Sequence, residues 1–241
     1  MTDPNPRRRL TGVLLLTSLV AMIAATAIVV PSGLTLSPSD PGAAMDAVRE
    51  QVGLHLTELA FDVLGWLALT AAGLVMAARP AESPDETSRP YLVTLAGGLL
   101  AGAGLAGLLH DAGNLALTQL AAQPSATGVL AVLLTAKWAV NLAGLLWVAA
   151  TAAGAAGIPM PAWLRVTGMI AALIGLAAVV LPWTTGTGGP TGTLEQLGYA
   201  LHMPVMIWYG ILAWRYLRRP PRGQPSVRAG SRHPGRGKWQ V

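Results

Sequence analysis

The chain alternates between long apolar stretches and short polar segments. Five of the apolar stretches contain no Asp, Glu, Lys or Arg: 10–39, 91–110, 112–136, 138–164 and 166–194. A membrane-spanning helix needs about 20 mainly apolar residues, and each of these stretches is long enough. The pattern therefore predicts an all-α, polytopic integral membrane protein.

A window of this length places six transmembrane helices along the chain. Their predicted bounds are about 10–30, 55–78, 90–117, 127–153, 165–184 and 195–217. Small residues are frequent in them, as in AGGLLAGAGLAG at 96–107, and such residues let helix backbones approach closely in membranes. We expect a short basic N-terminus (1–9), a six-helix transmembrane bundle (10–217) and a basic disordered tail (218–241).

The basic residues of the connecting segments predict the orientation of the bundle. Those on one side are Arg7, Arg8, Arg9, Arg79, Arg89, Arg165, Arg215, Arg218 and Arg219. On the other side, the first loop has Arg49 beside several acidic residues, and the third and fifth loops have no Lys or Arg. Cytoplasmic loops carry the excess of Lys and Arg. The sequence therefore predicts cytoplasmic N- and C-termini and a multi-pass protein of the cell membrane.

The first helix also resembles a secretory signal peptide. It has three arginines at 7–9, an apolar run, and the small residues ATA at 25–27, an arrangement typical of a cleaved leader. The apolar run from Leu10 to Val30 is longer than a usual signal core, which favours an uncleaved span. Cleavage would leave five helices.

Composition narrows the possible partners. Only 11% of the residues are charged, against about 25% in a typical soluble domain, and the absence of cysteine excludes disulfides and thiolate sites. Much of the net charge of +5 comes from the C-terminal tail. A basic tail of this kind favours an anionic cytoplasmic leaflet, so we expect membrane lipids and no nucleic acid as partners.

Polar residues inside the predicted helices lie at similar depth. At about 1.5 Å of rise per residue from the cytoplasmic ends, four helices place ionisable groups in the outer third of the membrane, and the inner half receives almost none. The polar residues of these helices are Glu58, Asp62, His110, Asp111, Asn114, Lys137, Asn141, Glu195, Tyr199 and His202.

Helical spacing predicts that these residues face one another. Glu58 and Asp62 are four residues apart and share a helix face, and an Asp or Lys facing lipid at mid-helix costs about 2.5–3.5 kcal/mol. We therefore expect Asp62 to meet Lys137, which has matching depth. Glu58 should lie nearer the outside water, and His55 should lie among the outer headgroups.

The candidate chemistry of this set is acid–base catalysis by groups held partly away from water. The candidate catalytic residues are Asp62, Glu58, His202, Lys137 and His110, and the candidate binding residues are Asp111, Asn114, Asn141, Glu195 and Tyr199. The alternative interpretation is that single polar residues such as Tyr199 only form hydrogen bonds between helices.

Metal and cofactor binding are less specific interpretations. Three histidines and four carboxylates on one side are enough to ligate a metal, and His110 with His202 can be imagined as haem ligands. The chain has no HxxxH or HExxH motif, so the sequence names no metal, cofactor or oligomeric state.

These observations favour an outward-facing polar pocket within the membrane. We expect an enzyme or a binder that acts on a lipidic or amphipathic small molecule. The alternatives are a small-solute or proton-coupled transporter, which needs a polar route through both halves of the membrane, and an accessory or structural membrane subunit.

Overall fold

The structure is a computed structural model that describes residues 6–78, 89–122, 126–188 and 191–218. The described chain is helical and contains no strand. The helices are α1 (Pro6–Ser32), α2 (Pro41–Glu50), α3 (Val52–Ala77), α4 (Pro90–Leu120), α5 (Ala126–Gly157), α6 (Ala162–Val180) and α7 (Gly192–Leu217). A 3₁₀ segment, Leu181–Gly188, follows α6 directly.

Six of these helices are long and apolar enough to cross a membrane. They are α1, α3, α4, α5, α6 and α7, so the prediction of an all-α bundle with six transmembrane helices is confirmed. The predicted bounds differ from the observed ones by a few residues at several ends. The predicted tail, apart from Arg218, lies outside the described residues.

The six spans form a closed ring in chain order. Each contacts the next, and α7 contacts α1. We call the face where α1 begins and α7 ends the terminal face, and the opposite face, which carries α2 and the 3₁₀ segment, the distal face. Between the two faces every span borders the interior of the ring.

Helix α2 lies in the first connecting segment, where the sequence analysis expected a loop. Asp40 caps it by accepting a hydrogen bond from the backbone N–H of Ala43 at 2.9 Å, and Pro41 occupies its first turn. Both residue types are favoured at these positions. Its apolar side, with Met45 and Val48, packs on the distal ends of α4 and α5. Thus α2 covers part of the distal face.

The outer surface of the ring suits a lipid environment. Large apolar side chains such as Leu16, Val20 and Leu173 are exposed there. On α6 and the following 3₁₀ segment, the exposed residues Trp163 and Trp183 are 20 residues apart, or about 30 Å of helix. That length equals the thickness of the hydrocarbon layer, and tryptophan is enriched at both membrane interfaces.

The terminal half of the interior is a packed apolar core. Its most buried large side chains are Leu69, Leu100, Leu164 and Leu212, which belong to one continuous cluster. The polar residues described below lie on the distal side of this core.

Candidate functional site

A cavity of about 240 Å³ lies in the distal half of the ring. All six spans contribute side chains to its wall. The predicted site residues that line it are Glu58, Asp62, His110, Asn114, Lys137, Asn141, Glu195, Tyr199 and His202, and Asp111 lies behind the wall. The structure therefore brings nine of the ten predicted residues to one cavity.

The strongest ion pair at the cavity joins α5 to α7. Lys137 Nζ donates a hydrogen bond to Glu195 Oε2 at 2.9 Å, and both side chains are largely buried. The expected pairing of Lys137 with Asp62 is therefore wrong. The depth of a residue along its helix axis does not show which neighbouring helix its side chain faces. In the ring, α3 packs between α1 and α4 and not beside α5.

Asp62 instead faces Asp111 of the neighbouring helix. Ligand atoms of Asp62, Asp111 and His110 all lie within 4.8 Å of one another. Asp111 is only 2% exposed, and neither of its carboxylate oxygens receives a hydrogen bond from the described part of the chain. Asp111 lies within α4, which continues to Leu120.

Hydrogen bonds on both ring nitrogens fix the orientation of His110. Its Nδ1 donates to the backbone carbonyl of Ala136 at 2.9 Å, because a carbonyl oxygen can only accept. In the neutral ring Nε2 is then the acceptor, and the side-chain amide of Asn114 donates to it at 3.0 Å. The lone pair of Nε2 therefore lies on the side of the ring away from Ala136.

His55 is a further member of the site that the sequence analysis placed in the headgroup region. It is 1% exposed, and its Nε2 donates to the backbone carbonyl of Asn114 at 3.3 Å. Its Nδ1 lies 3.4 Å from Glu58 Oε2. His55 and Glu58 are three residues apart on α3, and this spacing was the signal in the sequence that could have predicted their contact. Glu58 is itself buried and lies one turn nearer the distal end of α3 than Asp62.

Asn141 and Tyr199 have simpler roles. The side-chain amide of Asn141 donates to the carbonyl of Val179 at 3.0 Å and its oxygen accepts from Trp183 Nε1 at 2.8 Å. Asn141 thus ties α5 to the distal end of α6, which fits the interpretation as a hydrogen bond between helices. Tyr199 lines the cavity but is 45% exposed.

Aromatic rings that the sequence analysis did not single out form the wall nearest the apolar core. Trp147 packs edge-on against Trp66 with ring centroids 5.9 Å apart, and lies 6.2 Å from the ring of His202 and 6.0 Å from that of Tyr209. Trp66 follows Asp62 by four residues, so both occupy one face of α3. That spacing was the available signal for Trp66.

Several buried polar atoms at the cavity have no protein partner. Within the described ranges, Trp147 Nε1 and Glu195 Oε1 are among the buried atoms that form no hydrogen bond, and both residues line the cavity. Buried polar groups in folded proteins are nearly always paired, with protein, water or a ligand. The wall therefore offers at least one donor, Trp147 Nε1, and one acceptor, Glu195 Oε1, to whatever occupies the cavity.

The fold defines this chain as a multi-pass helical membrane protein, and one half of its bundle holds a cavity lined by apolar and ionisable side chains. Comparison with known proteins gives no relative: no family model, curated protein or solved structure matches the chain. Its function has to be argued from the cavity itself.

Proposed function

We propose that this membrane protein binds a small amphipathic molecule in the distal cavity, with the polar end of the ligand among the ionisable residues. The observation that carries the proposal is the presence of unpaired buried polar atoms on Trp147 and Glu195 at one cavity. Leaving such atoms unpaired costs about 1–3 kcal/mol each, and a bound polar group removes that cost.

The cavity favours a short molecule over a complete lipid. Its volume of about 240 Å³ lies below the range of about 300–1,000 Å³ for small-molecule pockets. Apolar side chains such as Met22, Val140 and Met206 share the wall with the polar residues. An apolar segment of several carbons attached to one polar group matches this mixture.

The charges at the cavity favour a cationic or neutral polar group over an anionic one. Lys137 is the only Lys or Arg among the described lining residues, and Glu195 already holds it. Glu58 and Asp62 add further acidic groups to the wall. An anionic ligand would therefore meet carboxylates with no free lysine to offset them.

The packing below the cavity favours action from one face over transport through the bundle. Transport needs a polar route through both halves, and Leu69, Leu100 and Leu212 are fully buried in the terminal half. If the termini are cytoplasmic, as the loop charges predict, the ligand enters from outside.

The contact between His55 and Glu58 supports acid–base chemistry as an extension of binding. His55 Nε2 donates to a carbonyl, so the approach of Nδ1 to the Glu58 carboxylate at 3.4 Å is favourable when a proton lies between them. Histidine and carboxylate groups are common proton donors and acceptors in catalysis. A bound molecule that reaches this pair can exchange a proton with it.

Calorimetry in lipid nanodiscs tests the binding proposal. We expect octylamine to bind with a saturable heat beyond its partition into protein-free nanodiscs, octanol to bind more weakly, and octanoate to bind least. If none of the three gives a saturable signal, or if octanoate binds tightest, the proposal is wrong.

A matched pair of glycine substitutions locates the binding site. Gly198 lines the cavity, and a Cβ added there or at Gly98 meets nothing within 4 Å. Gly198→Leu fills cavity space and should weaken octylamine binding at least about tenfold, or about 1.4 kcal/mol. Gly98→Leu makes the same change away from the cavity and should leave binding unchanged. Equal losses in both variants would contradict the assignment.

A further inference from the structure

We propose that Asp62, His110 and Asp111 hold a divalent transition-metal ion in the wall of the cavity. The ligand atoms of the three side chains lie within 4.8 Å of one another, a separation that one ion with metal–ligand distances of about 2.0–2.2 Å can nearly bridge. The site does not require the organic ligand of the proposed function.

When both are ionised, Asp62 and Asp111 carry negative charge that no Lys, Arg or His of the described chain offsets. Neither carboxylate forms an ion pair with a Lys, Arg or His in the described ranges. Asp111 is buried, and both of its oxygens lack a hydrogen-bond donor there. Removing unpaired charge from water is expensive, and a divalent cation between the two carboxylates balances both.

The hydrogen bond of His110 suits a metal ligand. Histidines that bind metals almost always donate their other ring N–H to a carbonyl or carboxylate, which fixes the ring and its tautomer. His110 Nδ1 makes this bond to Ala136 at 2.9 Å. Its Nε2 lone pair now accepts from Asn114, and a small rotation of that amide frees it for an ion.

The donor set indicates which ions fit. Two carboxylates and one imidazole suit Mn²⁺, Fe²⁺ or Zn²⁺, whereas Cu⁺ prefers the thiolate and thioether ligands of Cys and Met. Three protein ligands leave coordination positions open, as in catalytic metal sites. Because Asp62 and His110 line the cavity, these positions face the space where the polar end of a small molecule would lie.

Titration of the chelator-stripped protein with Mn²⁺ tests the site directly. The protein is placed in phosphatidylcholine nanodiscs without amphiphile, and the electron paramagnetic resonance signal of free Mn²⁺ is followed, with Zn²⁺ as competitor. We expect one saturable site per chain that Zn²⁺ displaces. No saturable site in the unaltered protein overturns the proposal, and would mean that the two acids share a proton instead.

Variants assign the ligands. Asp62→Asn, His110→Gln and Asp111→Asn should each weaken Mn²⁺ binding by at least about tenfold. Asp46→Asn removes an exposed carboxylate on α2 that pairs with Arg49, and it should bind like the unaltered protein. Folded yield and melting temperature are measured for each variant. If folded ligand variants retain full affinity, or if Asp46→Asn loses as much, the assignment is overturned.

Substitution of Asn114 gives an effect of the opposite sign. Asn114→Ala removes the amide that occupies His110 Nε2, so Mn²⁺ should bind more tightly than to the unaltered protein. A fall to the level of His110→Gln would identify Asn114 as the ligand and overturn the role of His110. This titration measures only the ion, so its failure leaves the octylamine result unaffected.

Discussion

The ion pair between Lys137 and Glu195 is shorter than the other acid–base contact in the wall of the cavity, between His55 and Glu58. Its 2.9 Å separation and the burial of both side chains place it away from bulk solvent. In such positions the loss of one partner strands a charge, which costs about 3–5 kcal/mol. The pair therefore contributes to the attachment of α7 to α5.

A double-mutant cycle measures this contact. Lys137→Met and Glu195→Gln should each lower the free energy of unfolding by about 3–5 kcal/mol, and the double variant should lose clearly less than the sum, because no charge remains stranded. Unfolding in detergent, followed by loss of helical circular dichroism, gives the values.

Asp62→Asn combined with Lys137→Met serves as the control cycle. Asp62 packs toward α4 and Asp111, so its effect should add to that of Lys137→Met. Strong coupling between Asp62 and Lys137, with additive losses for Lys137 and Glu195, would contradict the pairing.

The sequence predicted which residues share the cavity but not which residues touch. The depth of a residue follows from the helical rise, and the cost of polar groups in lipid turns their side chains inward. Depth and inward orientation can therefore both be predicted from the sequence. Partners depend on the position of each helix around the ring. Lys137 and Asp62 have equal depth on helices that are not neighbours, whereas Lys137 and Glu195 are brought together by closure of the ring.

At the scale of elements, α3 and α4 pack backbone against backbone, and glycines create this contact. A Cβ built on Gly73 would lie 2.6 Å from the carbonyl oxygen of Gly97, and one built on Gly97 would lie 2.6 Å from that of Gly73. Further along, Gly107 contacts the ring of Trp66. Asp62 precedes Trp66 by one helical turn, and Asp111 follows Gly107 by one turn. The close approach of α3 and α4 therefore sets the separation of the two carboxylates.

Neighbouring glycines on α4 provide a matched test. Gly97→Ala forces α3 and α4 apart and should destabilise the protein by about 1–3 kcal/mol. Gly98→Ala meets nothing within 4 Å and should be neutral or slightly stabilising, because alanine is the better helix former. Melting temperatures in one detergent compare the two.

The opposite order of stability would show that α3 and α4 do not pack at Gly97.

The sequence alone did not identify this contact surface, since glycine and alanine occur on every face of α4. The start of helix α2 could be recognised from Asp40 and Pro41, which are favoured residues at a helix start. The charged residues that follow lower the apolar content of the segment, so a loop was expected there.

At the scale of the whole molecule, the faces of the bundle determine which compartment the cavity serves. The distal face carries α2 and the 3₁₀ segment, and the terminal face carries the connection between α5 and α6. The charge pattern of the loops predicts that the terminal face is cytoplasmic. Entry of a ligand from outside depends on this orientation.

Cysteine labelling tests the orientation cleanly because the chain contains no cysteine. Ser39 on the distal face and Ala162 on the terminal face are both exposed. In intact cells a membrane-impermeant maleimide should label Ser39→Cys, whereas Ala162→Cys should react only after permeabilisation. The reverse pattern would place the cavity toward the cytoplasm.

Closure of the ring by α1 and α7 also has a consequence for the order of events during synthesis. Neighbouring spans from α1 to α6 can pack as each emerges from the ribosome. Helix α1, however, gains its second neighbour only when α7 has been synthesised. Glu195 arrives with α7, so Lys137 stays without this partner until α7 has been synthesised. A chain that stops before α7 is therefore left with a stranded positive charge in the membrane, a defect that distinguishes an open ring of helices from a closed one.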